Sequence, residues 1–242
     1  MISLFRKIQI ILVSIGITIF VSFTSLIATL FGKNTRDAVD RRLKFWSTIL
    51  LNQIQITYSV FRHHDFEILD GRPYIIMSNH SSLYDIPILL ISLPGSIRML
   101  VKKELMKVPV WGRAMRSCDF ISIDRKNRQQ AFEDLNRAKE TMKKGIVLSI
   151  SPEGTRSRDG KLLPFKGGGF RLAIDTGATI LPVGIRGAHT VLPAKSLNFN
   201  VGRHIEVHIG QPVDASQYTV DTRKLLLKNI EQQILSLTGQ EG

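Results

Sequence analysis

The sequence predicts an α/β protein with a single mainly parallel or mixed sheet flanked by helices, preceded by an N-terminal two-helix membrane anchor. Three observations lead there. From Tyr74 onward, short β-branched runs alternate with helical stretches, the pattern of a strand-helix-strand fold. The chain opens with a long uncharged apolar run. Its 242 residues, 43% of them hydrophobic, allow one core plus an appendage and not two full domains.

Ile8 to Phe31 contains 24 residues without a charged side chain. As a helix this run would reach about 36 Å, against a hydrocarbon core of roughly 30 Å. It exceeds the apolar stretch of a cleaved signal and ends in Phe31-Gly32-Lys33-Asn34 with no A-x-A-like site, so it reads as a retained membrane segment. Its Ser and Thr residues are compatible with spanning the bilayer or with dipping into one leaflet. A basic stretch with Lys33, Arg36, Arg41, Arg42 and Lys44 follows. Phe45 to Phe61 is apolar again and is expected to form a second, interfacial helix, with Trp46 and Tyr58 at headgroup level. The alternative is the first core helix of the α/β domain. His63-His64-Asp65 makes a polar break, so the expected division is an anchoring helix pair over 1–62 and a catalytic domain over 63–242.

In the second part the expected strands are Tyr74–Ser78, Ile97–Val101, Phe120–Ile123, Ile146–Ile150, Ile180–Ile185 and Ile205–Ile209. Arg128 to Lys144 reads as a helix stopped by Gly145, and Asp221 to Leu237 as a closing amphipathic helix. There is no internal repeat.

Composition narrows the chemistry. Lys and Arg number 33 against 20 Asp and Glu, a formal charge of +13, which favours anionic partners. The single cysteine, Cys118, excludes an internal disulfide and a multi-cysteine metal site. Aromatic content of 7%, concentrated outside the basic stretches, argues against a nucleic-acid face.

Two loops carry chemistry. The first is Ser78-Asn79-His80-Ser81-Ser82-Leu83-Tyr84-Asp85, directly after an apolar strand. On a regular helix His80 and Asp85 would stand roughly 140° apart and could not meet. They meet only if the strand ends at His80 and a helix begins near Ser81 or Ser82, whose hydroxyls would cap it, with Pro87 in its first turn. The carboxylate would then fix the imidazole tautomer and leave the other ring nitrogen as a general base. The second loop, Ser151-Pro152-Glu153-Gly154-Thr155-Arg156-Ser157, also follows an apolar strand and should share that edge of the sheet. Arg156 with Thr155 in a glycine loop suits a phosphate, and Glu153 would orient Arg156 or accept a substrate hydroxyl. Gly167-Gly168-Gly169 implies a close backbone approach or a sharp turn. Neither G-x-x-x-x-G-K-[ST] nor G-x-G-x-x-G is present in the required context.

Four ordered blocks resemble the lysophosphatidic acid acyltransferase family, PlsC type, within the glycerolipid acyltransferases. They are Asn79 to Asp85; Lys102-Lys103-Glu104-Leu105 through Pro109, Gly112 and Phe120 to Arg125; Glu153 to Ser157; and Leu181 to Gly184. The second block reads Phe-Ile-Ser-Ile-Asp-Arg where the family has F-I-D-R, and the fourth carries Gly184 where many members have a bulkier residue. The resemblance implies a glycerol-3-phosphate acyltransferase-like fold and acyl transfer from acyl-CoA or acyl carrier protein to the sn-2 hydroxyl of 1-acylglycerol-3-phosphate, with His80 as base and Asp85 orienting it. It further implies phosphate contacts from Arg125 and Arg156 with Lys102 or Lys103 assisting, and glycerol positioning by Glu153, Gly154 and Thr155. No metal or cofactor is implied, because a thioester is already activated. The expected partners are lysophosphatidic acid, an acidic acyl carrier and an anionic membrane surface, with the catalytic domain on the cytoplasmic face of the cytoplasmic or inner membrane. The rival readings are an acyltransferase for another lysophospholipid or glycerol phosphate and, in a different class, a basic membrane-tethered binding protein.

Overall fold

A computed structural model describes residues 2–69, 71–123 and 128–240. In chain order its elements are α1 Leu4–Leu30, α2 Arg36–Asn52, β1 Thr57–Arg62, β2 Tyr74–Ser78, α3 Asp85–Ser92, β3 Ser96–Lys102, a 3-10 turn Lys103–Lys107, α4 Trp111–Ser117 and β4 Ile121–Ile123. They continue with α5 Arg128–Lys143, β5 Ile146–Ile150, α6 Gly168–Thr176, β6 Thr179–Arg186, α7 Ala188–Val191, β7 His204–Ile209, β8 Val213–Asp214 and α8 Arg223–Leu237. The sheet order is β1-β7-β6-β2-β5-β3-β4, with β8 paired to β6. Strands β6, β2, β5, β3 and β4 are parallel, β7 runs against β6, and β1 follows β7. The sheet is therefore mixed with a parallel centre, and all six strands expected from the sequence form.

Central strands β2 and β5 are buried along their whole length, which is why they read as unbroken apolar runs and not as alternations. One face of the sheet packs Ile76, Ile88, Leu89 and Val183 with residues of α2, and takes Ile10 of α1. The other packs Ile75, Met77, Leu148 and Phe170 with Ile230 and Ile234 of α8. Two glycines are demanded by this packing. Gly145 ends the α5 segment at φ +84°. At Gly184 an added Cβ would lie 2.6 Å from the Leu237 backbone, so β6 and the end of α8 meet only without a side chain. That contact explains the departure from the family pattern noted at this position.

The two-helix anchor needs correction. Two N-terminal helices form, but among the described residues only α1 is long and apolar enough to cross a membrane. The second helix spans Arg36–Asn52, not Phe45 to Phe61. Thr35 caps it by accepting from the Ala38 N–H, Asp37 sits in its first turn, and the basic stretch from Arg36 onward is helical. After a turn with Gln55 at φ 56°, the β-branched and aromatic run Thr57–Arg62 pairs with β7. Residues 57–62 therefore belong to the sheet, and the break at His63 follows a strand of the body instead of closing an anchor. The Trp46 indole N–H donates to Thr18 Oγ1 at 3.0 Å, so its polar edge is turned to α1.

Polar side chains zip α1 to α2 in antiparallel register. Gln53 Nε2 donates to Ser14 Oγ, Trp46 to Thr18, and Arg42 Nε to Ser25 Oγ, at 2.8, 3.0 and 3.0 Å. Ser14, Thr18 and Ser25 of the apolar run thus form a seam, while Phe5, Leu12, Ile19, Phe20, Phe23 and Leu30 face outward. Helix α2 is in turn tied to the sheet. Fully buried Arg98 of β3 donates to Asp40 Oδ1 at 2.6 Å and to the carbonyls of Cys118 and Ile97 at 2.6 and 2.9 Å. Ser96 also hydrogen-bonds Asp40.

Removing one member of a buried pair leaves an uncompensated charge. Asp40→Ala should cost about 3 kcal/mol, the low end for such pairs because Asp40 retains some exposure. Thermal unfolding in micelles would measure it, and an unchanged midpoint would show that this pair does not hold α2.

Candidate functional site

The site is an elbow at the carboxyl end of β2. Strand β2 ends at Ser78, and Asn79 then closes a two-way bond with β6: its Nδ2 donates to Ile185 O at 2.9 Å and its Oδ1 accepts from Ile185 N at 2.7 Å. Helix α3 begins at Asp85, and the six residues between cross the strand end. A single oxygen organises them. Asp85 Oδ2 accepts from the N–H groups of Ser81 and Ser82 at 2.7 and 2.8 Å and from His80 Nδ1 at 2.8 Å. The expected pairing of His80 with Asp85 is present, but by a different cap. Neither serine hydroxyl caps the helix; Ser82 Oγ accepts from Tyr84 N and donates to Leu192 O. The carboxylate at the first helical position reaches back over the loop instead, and Pro87 occupies the first turn as expected.

A carboxylate only accepts, so His80 Nδ1 carries the proton and Nε2 offers a lone pair. The imidazole keeps 21% side-chain exposure while Asp85 keeps 3%. One face of the pair is thus open to a substrate, and its orienting half is sealed.

The loop after β5 locks onto this elbow. Glu153, 2% exposed, accepts from the His80 N–H through Oε1 at 2.6 Å and from the Leu163 N–H through Oε2 at 2.9 Å. Ser157 N donates to His80 O at 2.7 Å, so the histidine is held on both sides of its backbone by one loop. The expectation that Glu153 orients Arg156 is corrected: each of its oxygens accepts from a backbone amide, and among the described residues no bond joins it to Arg156. Burial pushes its carboxyl up to about 7, against the opposing pull of the two amide donors and of His80.

The remaining expected residues fall as follows. Gly154 takes φ +69°, and Thr155 is exposed beside it. Arg156 is half-buried and, among the described residues, has no hydrogen-bond or ion-pair partner. Lys102 ends β3 and Lys103 opens the following turn, at the same carboxyl edge as His80 and the Glu153 loop because β2, β5 and β3 are parallel. Arg125 lies outside the described residues. The glycine triplet makes no sharp turn; it opens α6, with Gly169 against Ile150 and Met77. No group of three or more metal-ligating side chains occurs among the described residues.

One feature gave no motif signal. A cavity of about 220 Å³, almost wholly apolar, lies between α1, α2, α3, β3 and α4, lined by residues such as Val21, Trp46, Leu90, Met99 and Met115. Leu83 and Ile86, which flank Asp85 in the elbow, also line it. It exists because two helices distant in sequence from the motif roof the strand ends.

The Acyltransferase family model matches residues 60–186, just over half of the chain. This chain belongs to the acyltransferase family. Relatives of this acyltransferase include the 1-acyl-sn-glycerol-3-phosphate acyltransferase of Saccharomyces cerevisiae, 34% identical over 73% of this chain and 59% of that one. The chloroplastic 1-acyl-sn-glycerol-3-phosphate acyltransferase BAT2 of Brassica napus is 34% identical over 60% of this chain and 42% of its own length. Matches thus span roughly two fifths to three fifths of these curated relatives. The crystal structure of the 1-acyl-sn-glycerophosphate (LPA) acyltransferase PlsC from Thermotoga maritima superposes with a TM-score of 0.72 and 28% identity, covering 95% of this chain and 94% of that one.

Glu153 supplies a test of the clamp. Because its folded-state value is raised, the stability this group contributes is complete below about 4.5 and is lost as pH climbs through about 7. The melting temperature of the wild type minus that of Glu153→Gln should therefore fall as pH rises from 5 to 8, since the amide does not titrate. A difference independent of pH would show that Glu153 is not titrating in its buried position.

Proposed function

We propose that this acyltransferase transfers a fatty acyl group from acyl-CoA or acyl carrier protein to the sn-2 hydroxyl of 1-acylglycerol-3-phosphate, giving phosphatidic acid. The observation that carries the reading is the oriented His80–Asp85 pair, on the same sheet edge as Arg156, which is unpaired among the described residues, and beside an apolar cavity. His80 Nε2 takes the proton of the acceptor hydroxyl as its oxygen attacks the thioester carbonyl. The C–S bond then breaks, and the departing sulfur receives that proton from the imidazolium. Asp85 stabilises the imidazolium while it exists. Because the substrate brings its own hydroxyl, no enzyme nucleophile is required.

Arg156, with a guanidinium unspent among the described residues, suits the acceptor phosphate, helped by Lys102 and Lys103. The cavity suits an acyl chain. The relatives named for 1-acylglycerol-3-phosphate support that acceptor over other lysophospholipids. With purified protein, thiol release from acyl-CoA should depend on lysophosphatidic acid and be weak with glycerol 3-phosphate or neutral lysolipids. Arg156→Ala should raise the apparent KM for lysophosphatidic acid by about tenfold or more, with a smaller effect on that for the donor. An equal effect on both, or one on the donor alone, would remove Arg156 from the acceptor site.

The enzyme sits in one leaflet on the cytoplasmic face of the cytoplasmic or inner membrane. The α1 segment is tied down on both sides: Arg6 donates to Gln53 O at the end of α2, and Asn34, just beyond α1, donates to Ser117 O at the end of α4. A helix pinned at both ends lies along the body instead of projecting through a bilayer, which favours a monotopic hairpin with α2 over a spanning segment. A cysteine at Ser3 should then resist an impermeant thiol reagent in intact cells and react after lysis. Labelling of intact cells would establish a spanning α1.

A further inference from the structure

We infer that the turn Val108-Pro109-Val110 is a second membrane contact, inserting into an anionic leaflet beside α1. The inference deepens the membrane-surface reading above and rests on it. After the 3-10 turn at the end of β3 the chain makes a tight three-residue turn: Trp111 N donates to Pro109 O at 2.7 Å, with Val110 at φ 63° and ψ −64°. This is the rare positive-φ form of the γ-turn, and a β-branched residue there is an outlier. Such strain persists only where the surroundings impose it.

The surroundings do. Gly112 N donates to Val108 O at 2.8 Å, and an added Cβ on Gly112 would stand 2.2 Å from the Met106 carbonyl oxygen. That same carbonyl accepts from Arg116 Nη1 at 2.8 Å. The fold thus holds a strained, fixed turn. What the turn displays is apolar: Val108 and Val110 are each 41% exposed, and Pro109 between them is exposed. Strain spent on presenting valines to water has no return inside the protein. An apolar phase at that position would supply one.

Charge and continuity select which phase. From Lys107 to Arg113 two basic residues, Lys107 and Arg113, flank the turn with no acid between them. An apolar tip ringed by Lys and Arg is the composition of an interfacial insertion, in which side chains enter the headgroup boundary and the cations meet anionic lipid. Helix α4, which the turn leads into, packs along α1, and Trp111 lines the same cavity as Thr18 and Val21 of α1. The turn therefore leads into the part of the body that packs against α1. It also stands at the carboxyl edge of β3, the edge that carries His80, so its insertion would press that edge onto the bilayer.

The test uses the full chain with Cys118→Ala, reconstituted in vesicles of phosphatidylcholine and phosphatidylglycerol. A polarity-sensitive fluorophore is attached at Val110→Cys, with Phe23→Cys on α1 and Asp221→Cys as lipid and water references. The proposal expects the Val110 probe to shift blue and to be quenched by brominated lipid, as the Phe23 probe is. A Val110 probe that behaves like Asp221 while Phe23 reports lipid overturns the inference and leaves the membrane reading intact. If Phe23 also reports water, both fall. A second measurement guards against misfolding: Val108→Asp with Val110→Asp should slow transfer to vesicle-embedded acceptor by about tenfold and leave transfer to a soluble short-chain acceptor unchanged. Equal losses on both acceptors, or none on either, would contradict the proposal.

Discussion

Asp85 Oδ2 is the atom on which the site depends. Three donors converge on it, the amides of Ser81 and Ser82 and the His80 ring, and each does a different job. The amides fold the crossing loop over the start of α3. The ring bond fixes a tautomer. A buried carboxylate with so little solvent needs all of these donors to offset its desolvation. The bonds that shape the loop are therefore the same ones that orient the His80 ring proposed as the base, and loop geometry and ring orientation cannot be separated by substitution at Asp85.

The second constraint comes from the neighbouring strand. Glu153 and Ser157 grip the N–H and the C=O of His80, and Asn79 secures the preceding residue to β6. Three parallel strands thus contribute to one imidazole, which is why the site lies at the carboxyl edge of the sheet, where such folds bind ligands. Glu153 has two oxygens and two amide partners, so its carboxylate form is the one that completes the clamp. Burial opposes that form. The clamp is consequently a sensitive part of the structure near neutral pH.

Much of this was legible in the sequence. Strands β2 and β5 announced themselves as apolar runs because both their faces are covered, but the elbow is longer than expected: β2 ends at Ser78, not His80, and α3 begins at Asp85, not near Ser81 or Ser82. The histidine-carboxylate pairing followed from a period argument that ruled out a continuous helix. What stayed hidden depends on long-range contacts. The run Thr57–Arg62 is apolar enough to extend a helix, and only its pairing with β7, more than 140 residues later, makes it a strand. The partner of the Trp46 indole could not be read either, because Thr18 lies 28 positions upstream. The clamp made by Glu153 was hidden because the amide of Leu163 gives no residue-type signal. Gly184 was an unexplained departure until α8 supplied the contact.

The account reduces to the claim that His80 Nε2, with Asp85 behind it, removes the proton of the acceptor hydroxyl. The direct measurement is the rate of lysophosphatidic acid-dependent acyl transfer by purified His80→Ala, with thermal unfolding run alongside to establish that the protein is folded. Loss of a positioned base should lower the rate by about 10²- to 10⁴-fold at an unchanged melting temperature. A folded His80→Ala enzyme that keeps wild-type turnover would contradict the account.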